Sequence, residues 1–223
     1  MWGIFMTKRI ITIDGPAGAG KTSVSRSLSR NLGCIYVDTG ALYRGVALEV
    51  KRAAIDWERD AVLEPFLSQI SLSFVRDGDE PVLTSSGENI SSLIRTPEIS
   101  MLASAISARP CVRKALLGLQ RSIAEKEDTV FEGRDMGTVV FPHADHKFFL
   151  FADLDTRALR RFEENQAPAQ DLSEVKEMMG SRDARDAGRE VAPLKPAEDA
   201  VLIDSTHMSL EEVVQKIVAK ITQ

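Results

Sequence analysis

The sequence predicts an α/β fold in which helices cover both faces of a five-stranded parallel sheet, a three-layer α/β/α arrangement. Three observations predict it. Five short runs are rich in β-branched and apolar residues, as buried strands are. Stretches of helical periodicity follow or separate them, and strands that alternate with helices pair in parallel. Between the first run and the first helical pattern stands Gly15-Pro16-Ala17-Gly18-Ala19-Gly20-Lys21-Thr22, which fits G-x-x-x-x-G-K-[ST].

The first run is Arg9-Ile10-Ile11-Thr12-Ile13-Asp14. The octapeptide after it is a phosphate-binding P-loop. Its glycines allow positive φ and let backbone N–H groups approach a phosphate that a side chain would keep away. Lys21 adds a cation for the β and γ phosphates, and the Thr22 hydroxyl suits Mg²⁺. Val24, Leu28 and Leu32 then recur every fourth residue as far as Gly33, a helix stop, and the N-terminal end of that helix points its dipole at the phosphates. Cys34-Ile35-Tyr36-Val37-Asp38 reads as a second strand. Thr39-Gly40 turns into a helix carrying Leu42, Val46, Ala47 and Val50. Thr129-Val130-Phe131-Glu132, Lys147-Phe148-Phe149-Leu150-Phe151 and Ala200-Val201-Leu202-Ile203-Asp204 complete the five. A capping box, Ser209 to Glu212, opens a closing helix with an apolar face from Leu210 to Ile221.

Two stretches break the alternation. Within 66–113, Ile70-Ser71-Leu72-Ser73-Phe74-Val75 and Pro81-Val82-Leu83-Thr84 flank the polar turn Arg76-Asp77-Gly78-Asp79, so a small antiparallel insert is expected. A helical piece follows from Pro97 to about Ala108, interrupted by Pro110. Residues 155–189 are helical, polar and rich in arginine, with Arg157, Arg160, Arg161, Arg182, Arg185 and Arg189 around the link Asn165-Gln166-Ala167-Pro168-Ala169-Gln170. Isolated arginines of this kind usually make a solvated, salt-bridged surface. In a chain that holds a triphosphate loop, they also suit a lid that supplies cations and excludes water.

The 223 residues are 43 % hydrophobic and 27 % charged, with a net charge of −5. That balance fits a soluble globular protein and argues against a general nucleic-acid or membrane-surface binder. Met1-Trp2-Gly3-Ile4-Phe5-Met6 is too short for a signal segment, and either Met1 or Met6 can be the start. No run reaches the ~18 apolar residues of a membrane span. Cys34 and Cys111 form no metal motif and read as reduced thiols of a cytoplasmic protein, with Cys34 in the core. His143, His146 and His207 read as surface histidines in two polar loops.

Beyond the P-loop the chain resembles the bacterial cytidylate kinases, within the nucleoside monophosphate kinases. The resemblance lies in Ile13 to Lys21, in Asp38-Thr39-Gly40-Ala41-Leu42-Tyr43-Arg44, and in Ile94-Arg95-Thr96. It continues in Glu132-Gly133-Arg134-Asp135-Met136-Gly137-Thr138-Val139-Val140-Phe141-Pro142, in Arg182-Asp183-Ala184-Arg185-Asp186 and in Val191-Ala192-Pro193-Leu194. It implies a core at 1–65, 114–154 and 190–223, a nucleotide-binding insert at 66–113 and a lid at 155–189. It also implies Mg²⁺-dependent transfer of the ATP γ-phosphoryl group to CMP or dCMP, in pyrimidine metabolism, by a monomer. Residue by residue, Gly15, Pro16, Ala17, Gly18, Ala19, Gly20, Lys21 and Thr22 would hold ATP, with Thr22 on the metal and Arg157 and Arg161 as lid contacts. Arg44, Arg134 and Arg189 would clamp the CMP phosphate. Lys21, Arg134 and Arg189 would be the catalytic cations. Thr39, Arg113 and Asp135 would read the base, and Ser104, Arg182 and Asp186 would face the sugar. Cytosine's N4 amino group is a donor, so a carboxylate such as Asp135 is a suitable reader on chemical grounds alone. Thr39 stands where the family often has serine, the link at 165–171 departs from its pattern, and Gly180 is an odd helix residue.

Two other functions compete. One is a P-loop kinase for another small acceptor, such as a sugar acid, shikimate or a coenzyme precursor; the antiparallel insert and the Arg134-Asp135 pair favour a nucleotide. The other is a non-catalytic nucleotide-binding module or switch. The N-K-x-D tetrad of a GTPase does not occur, and a pure binding module has little use for so many lid arginines.

Overall fold

The first apolar run forms β1 (Ile10–Asp14), buried at every residue after the first. A strand covered on both faces has no polar side to show, which is why it reads as continuous apolar sequence. In chain order there follow α1 (Lys21–Leu32), β2 (Ile35–Asp38), α2 (Thr39–Arg52), α3 (Asp60–Leu67), β3 (Leu72–Asp77), β4 (Glu80–Ser85) and β5 (Glu88–Asn89). Then come α4 (Pro97–Ile106), α5 (Pro110–Ala124), β6 (Thr129–Gly133), β7 (His146–Phe151), α6 (Leu154–Asn165), α7 (Leu172–Ala187), β8 (Val201–Asp204) and α8 (Leu210–Ile221). This computed structural model describes residues 8–77, 80–165 and 171–222. The readings of Met1 to Met6, of Gly78 and Asp79 in the hairpin turn, and of 166–170 in the link lie outside them.

The chain divides into two compact units, one of Met1–Ile35 with Glu127–Gln223, the other of Tyr36–Lys126. The five-stranded sheet has the order β2-β6-β1-β7-β8. In the first unit β1 runs parallel to β6, from Ile10 opposite Thr129 to Asp14 opposite Gly133, and parallel to β7 on its other edge. β8 extends β7, again in parallel. Val24 and Leu28 of α1 and Val213, Val214 and Ile217 of α8 pack into one core with Ile11, Ile13, Phe148 and Ile203. Each such side chain contributes about 1.5–3 kcal/mol by leaving water. Gly33 ends α1 at φ 67°, and the Ser209–Glu212 capping box opens α8, both as the sequence predicts. α6 and α7 pack around Ala158, Val175 and Met179. A second capping box, Asp171 with Glu174, starts α7. A side chain at Gly180 would meet Leu154 at an ordinary 3.5 Å, and nothing in the packing explains the glycine.

The second unit holds the expected hairpin. β3 pairs antiparallel with β4, Leu72 opposite Ser85, and the short β5 adds a third strand. α2, α4 and α5 close a core of its own around Leu42, Val46, Ile99, Ile106 and Val112. Four sequence readings are corrected. Thr39-Gly40 is the first turn of α2, because the Asp38 carboxylate caps it by accepting from Ala41 N at 3.0 Å. Pro110 opens α5 at the first turn, where a missing N–H costs nothing. Cys34 is only half-buried, at the rim of the core beside Arg9. His146 lies at the start of β7, not in a loop.

Candidate active site

The P-loop joins β1 to α1, and close approach explains its first glycine. A Cβ on Gly15 would lie 1.9 Å from the Leu150 carbonyl oxygen of β7. Gly18 and Gly20 take φ 73° and 87°, and Gly20 is the N-cap of α1. The carbonyls of the loop are engaged: Pro16 O accepts from Lys21 Nζ at 2.7 Å, Ala17 O from Arg157 Nη1 at 3.0 Å, and Ala19 O from Ser205 Oγ at 3.2 Å. The helix N-terminus supplies unpaired amides and a positive dipole end, which together suit a phosphate.

Lys21 is buried, and burial pushes its pKa down to about 7, helped by the positive fields of Arg134 and Arg182 and opposed by Glu132 and Asp14. Three cations around one buried point make an environment that an anion would relieve. Asp14, at the end of β1, is buried as well, which raises its pKa to about 6 although its carboxylate accepts from Met136 N at 2.9 Å and Gly137 N at 2.7 Å. Those two bonds pin the single π-helical turn Met136–Val140 beside the strand ends. Thr22 Oγ1 donates to Glu132 Oε1 at 2.9 Å. A hydroxyl and a carboxylate meeting at the loop are hard oxygen donors, the chemistry Mg²⁺ prefers. Among the described residues no group of three or more His, Cys, Asp or Glu could hold a metal. A Mg²⁺ here would take its other ligands from phosphate and water, as it does in kinases.

Arg134 and Arg189 share one buried carboxylate. Asp186 Oδ2 accepts from Arg134 Nε at 3.1 Å and Oδ1 from Arg189 Nη2 at 2.6 Å. Asp135, next to Arg134, is 2 % exposed and begins the π-helical turn. Arg182 lies on α7, half-buried. Arg157 is buried and donates to Ala152 O, Ala17 O and Asp183 Oδ2. Arg161 is exposed, 3.5 Å from Glu164.

The remaining predicted residues belong to the second unit. Thr39 is buried at the start of α2, and Arg44 on the same helix donates to Asp38 Oδ2 at 2.7 Å. Ser104 is half-buried on α4. Arg113 on α5 donates to Ser107 O at 3.2 Å, with its guanidinium 5.7 Å from the centre of the Tyr43 ring. The structure thus gathers Lys21, Arg134, Asp135, Arg182, Asp186 and Arg189 in one unit and Thr39, Arg44, Ser104 and Arg113 in the other. Sequence reasoning gave no role to Asp14, Asp38, Glu132, Asp183 or Ser205. The first three stand at or beside the carboxyl ends of parallel strands, where ligands bind in such sheets, and that position is a usable signal. Asp183, one acid among several on α7, has none.

Comparison with known proteins bears on the same residues. The cytidylate kinase family model matches residues 11–223. The cytidylate kinase of Geobacter sulfurreducens is 48 % identical over 210 residues, covering 93 % of this chain and 90 % of that protein. That of Syntrophotalea carbinolica is 46 % identical over 217 residues, covering 96 % and 92 %. Among solved structures, the shikimate kinase of Bacteroides thetaiotaomicron covers 96 % of this chain and 99 % of its own with a TM-score of 0.52 at 13 % identity. That likeness shows the fold alone, a three-layer α/β architecture. No helix among the described residues is long and apolar enough to cross a membrane. Matched by the family model over nearly its whole length, and by relatives close to half identical, the chain belongs to the cytidylate kinase family.

Proposed function

We propose that this protein transfers the γ-phosphoryl group of ATP to CMP or dCMP, giving ADP and CDP or dCDP, in pyrimidine nucleotide metabolism. Family membership and the relatives' names support CMP as acceptor. The observation that carries the reading is the cation set beside the P-loop: buried Lys21 with Arg134 and Arg182 near it, and Arg134 and Arg189 held on Asp186. Transfer between two anions needs charge stabilisation and alignment rather than a protein nucleophile, because the acceptor is already an ionised phosphate.

In this reading Lys21 and the P-loop amides hold the donor phosphates, with Arg157 and Arg161 on the lid side. Thr22 would hold Mg²⁺, which would supply charge neutralisation at the phosphates. Arg44, Arg134 and Arg189 take the acceptor phosphate, whose oxygens match planar guanidinium forks. Asp135, Thr39 and Arg113 read cytosine, and Ser104, Arg182 and Asp186 face the sugar. Residues 66–113 serve as the acceptor-binding insert and 155–189 as the lid. The proposed setting is the cytoplasm, in keeping with two free cysteines, and the proposed working form is a monomer that binds no nucleic acid.

Coupled ADP release with CMP, dCMP, UMP, AMP and shikimate tests the assignment. CMP and dCMP are expected to turn over fastest. A faster rate with AMP or shikimate would overturn it, and ATP binding without any transfer would favour a binding module.

A further inference from the structure

A phosphate loop exposes carbonyls as well as amides, and a carbonyl oxygen turned to a phosphate repels it. Here the carbonyls on either side of Gly18 are gripped from the hairpin side. Ala17 O accepts from Arg157 Nη1 at 3.0 Å, and the same nitrogen donates to Asp183 Oδ2 at 2.6 Å. Arg157 Nε is spent on Ala152 O at 2.9 Å, so the buried guanidinium is fixed in its plane at three points. Ala19 O and Phe151 O share the single proton of Ser205 Oγ, at 3.2 and 3.1 Å, and Ser205 is itself held by Arg160, whose Nη2 donates to Ser205 O at 2.7 Å. Both arginines lie on α6, while Asp183 reaches across from α7.

Packing supports the same contact. Ala17 packs against the small core of Ala158, Val175 and Met179 between the two helices. A Cβ on Gly18 would lie 2.7 Å from Met179 Cε and 3.0 Å from Arg157 O. The hairpin therefore touches the loop by side chain and by backbone.

We infer that the α6–α7 hairpin serves the donor through the back of the P-loop, with Asp183 as a positioning residue that aims Arg157 at the Ala17 carbonyl and so holds the loop in its phosphate-accepting form. The inference deepens the donor-side assignment of Arg157 and rests on the P-loop being the ATP site. Pre-organising a loop raises affinity by removing the cost of ordering it on binding. The alternative role for Arg157, a direct phosphate contact, gives the opposite sign. Removing the Asp183 charge would then release a competitor for the guanidinium and tighten ATP.

The test is Asp183→Asn, close in shape and short of one charge. ATP binding to the protein without acceptor, measured by titration calorimetry, should weaken about fivefold to twentyfold. The KM for CMP at saturating ATP should stay within about twofold. The backbone amide resonances of Gly18 and Gly20 should shift in the ligand-free protein, a change that simple loss of stability would not localise. Unchanged or tighter ATP binding in folded Asp183→Asn overturns the inference, as does an equal loss for ATP and CMP. If that variant does not fold, Ser205→Ala probes the second gripped carbonyl: ATP alone weakened supports the brace, and unaltered ATP binding refutes it. A wild-type protein that binds no ATP would instead refute the donor-site assignment itself.

Discussion

At the scale of single residues, the proposed function rests most on Lys21 and Asp135, and their surroundings define what each should do. Burial and two arginines hold the Lys21 pKa at about 7, below the ordinary 10.5. A triphosphate favours the charged form, so ATP binding at pH 8 should take up close to one proton, and at pH 6 almost none. Calorimetry in buffers of different ionisation heat reads this directly, and Lys21→Ala should abolish the uptake together with most of kcat. The stability sign follows from the same displacement. Between about 7 and 10.5 the unfolded chain keeps a proton that the folded one has lost, so stability gains with rising pH. Below that window the full cost of a buried charge applies. Lys21→Ala should therefore raise the melting temperature more at pH 6 than at pH 9. For Asp135, the proposed acceptor of the cytosine amino group, Asp135→Ala should lower kcat/KM for CMP by about tenfold to a hundredfold, the worth of a charge-assisted bond. UMP, which presents an acceptor at that edge, should lose much less or improve. Equal losses for the two nucleotides would move base reading to Thr39 and Arg113.

At the scale of elements, the join between β1 and α1 is the least forgiving piece of backbone. Gly15→Ala drives a Cβ into the Leu150 carbonyl, and neither strand can retreat without breaking the β1–β7 ladder. A loss above about 3 kcal/mol is expected, which in a chain of this size lowers the melting temperature by roughly 6–12 °C. Gly20→Ala meets no atom within 4 Å and carries only the left-handed strain, about 1–2 kcal/mol. Comparable melting temperatures for the two variants would contradict the close-approach account. These elements were legible beforehand because their causes are local: β-branched runs for strands, Gly33 and Ser209 for helix ends. α5 was not, since Pro110 reads equally as an opening or a break until the preceding helix end is known. The π-helical turn at Met136–Val140 has a distant cause, the Asp14 carboxylate more than a hundred residues earlier, and no window of sequence around it carries that information.

At the scale of the whole molecule, the order of strands and helices and the P-loop at the head of the sheet follow the pattern of the sequence, whereas the division of labour among the arginines does not. Arg157 and Arg161 are both polar helix residues in the chain, yet one is buried on three acceptors and the other lies in solvent. Burial separates them, and burial is a property of the fold. The carboxylate between Arg134 and Arg189 has a consequence on this scale too. The protein carries a net −5, and Asp186 sets one carboxylate against both guanidiniums of the arginine pair. In the proposed function, that carboxylate weakens the pull on monovalent anions such as chloride, while a phosphate dianion able to engage both forks at once keeps its advantage. Removing the carboxylate, as in Asp186→Asn, should make CMP binding fall more steeply as potassium chloride is raised from 20 to 200 mM, a range over which the Debye length falls from roughly 20 to roughly 7 Å. If Asp186→Asn behaves so, an acid set between two cations acts as a filter of valence: it forfeits some attraction for every anion so that ordinary cellular salt does not occupy the place proposed for the acceptor phosphate.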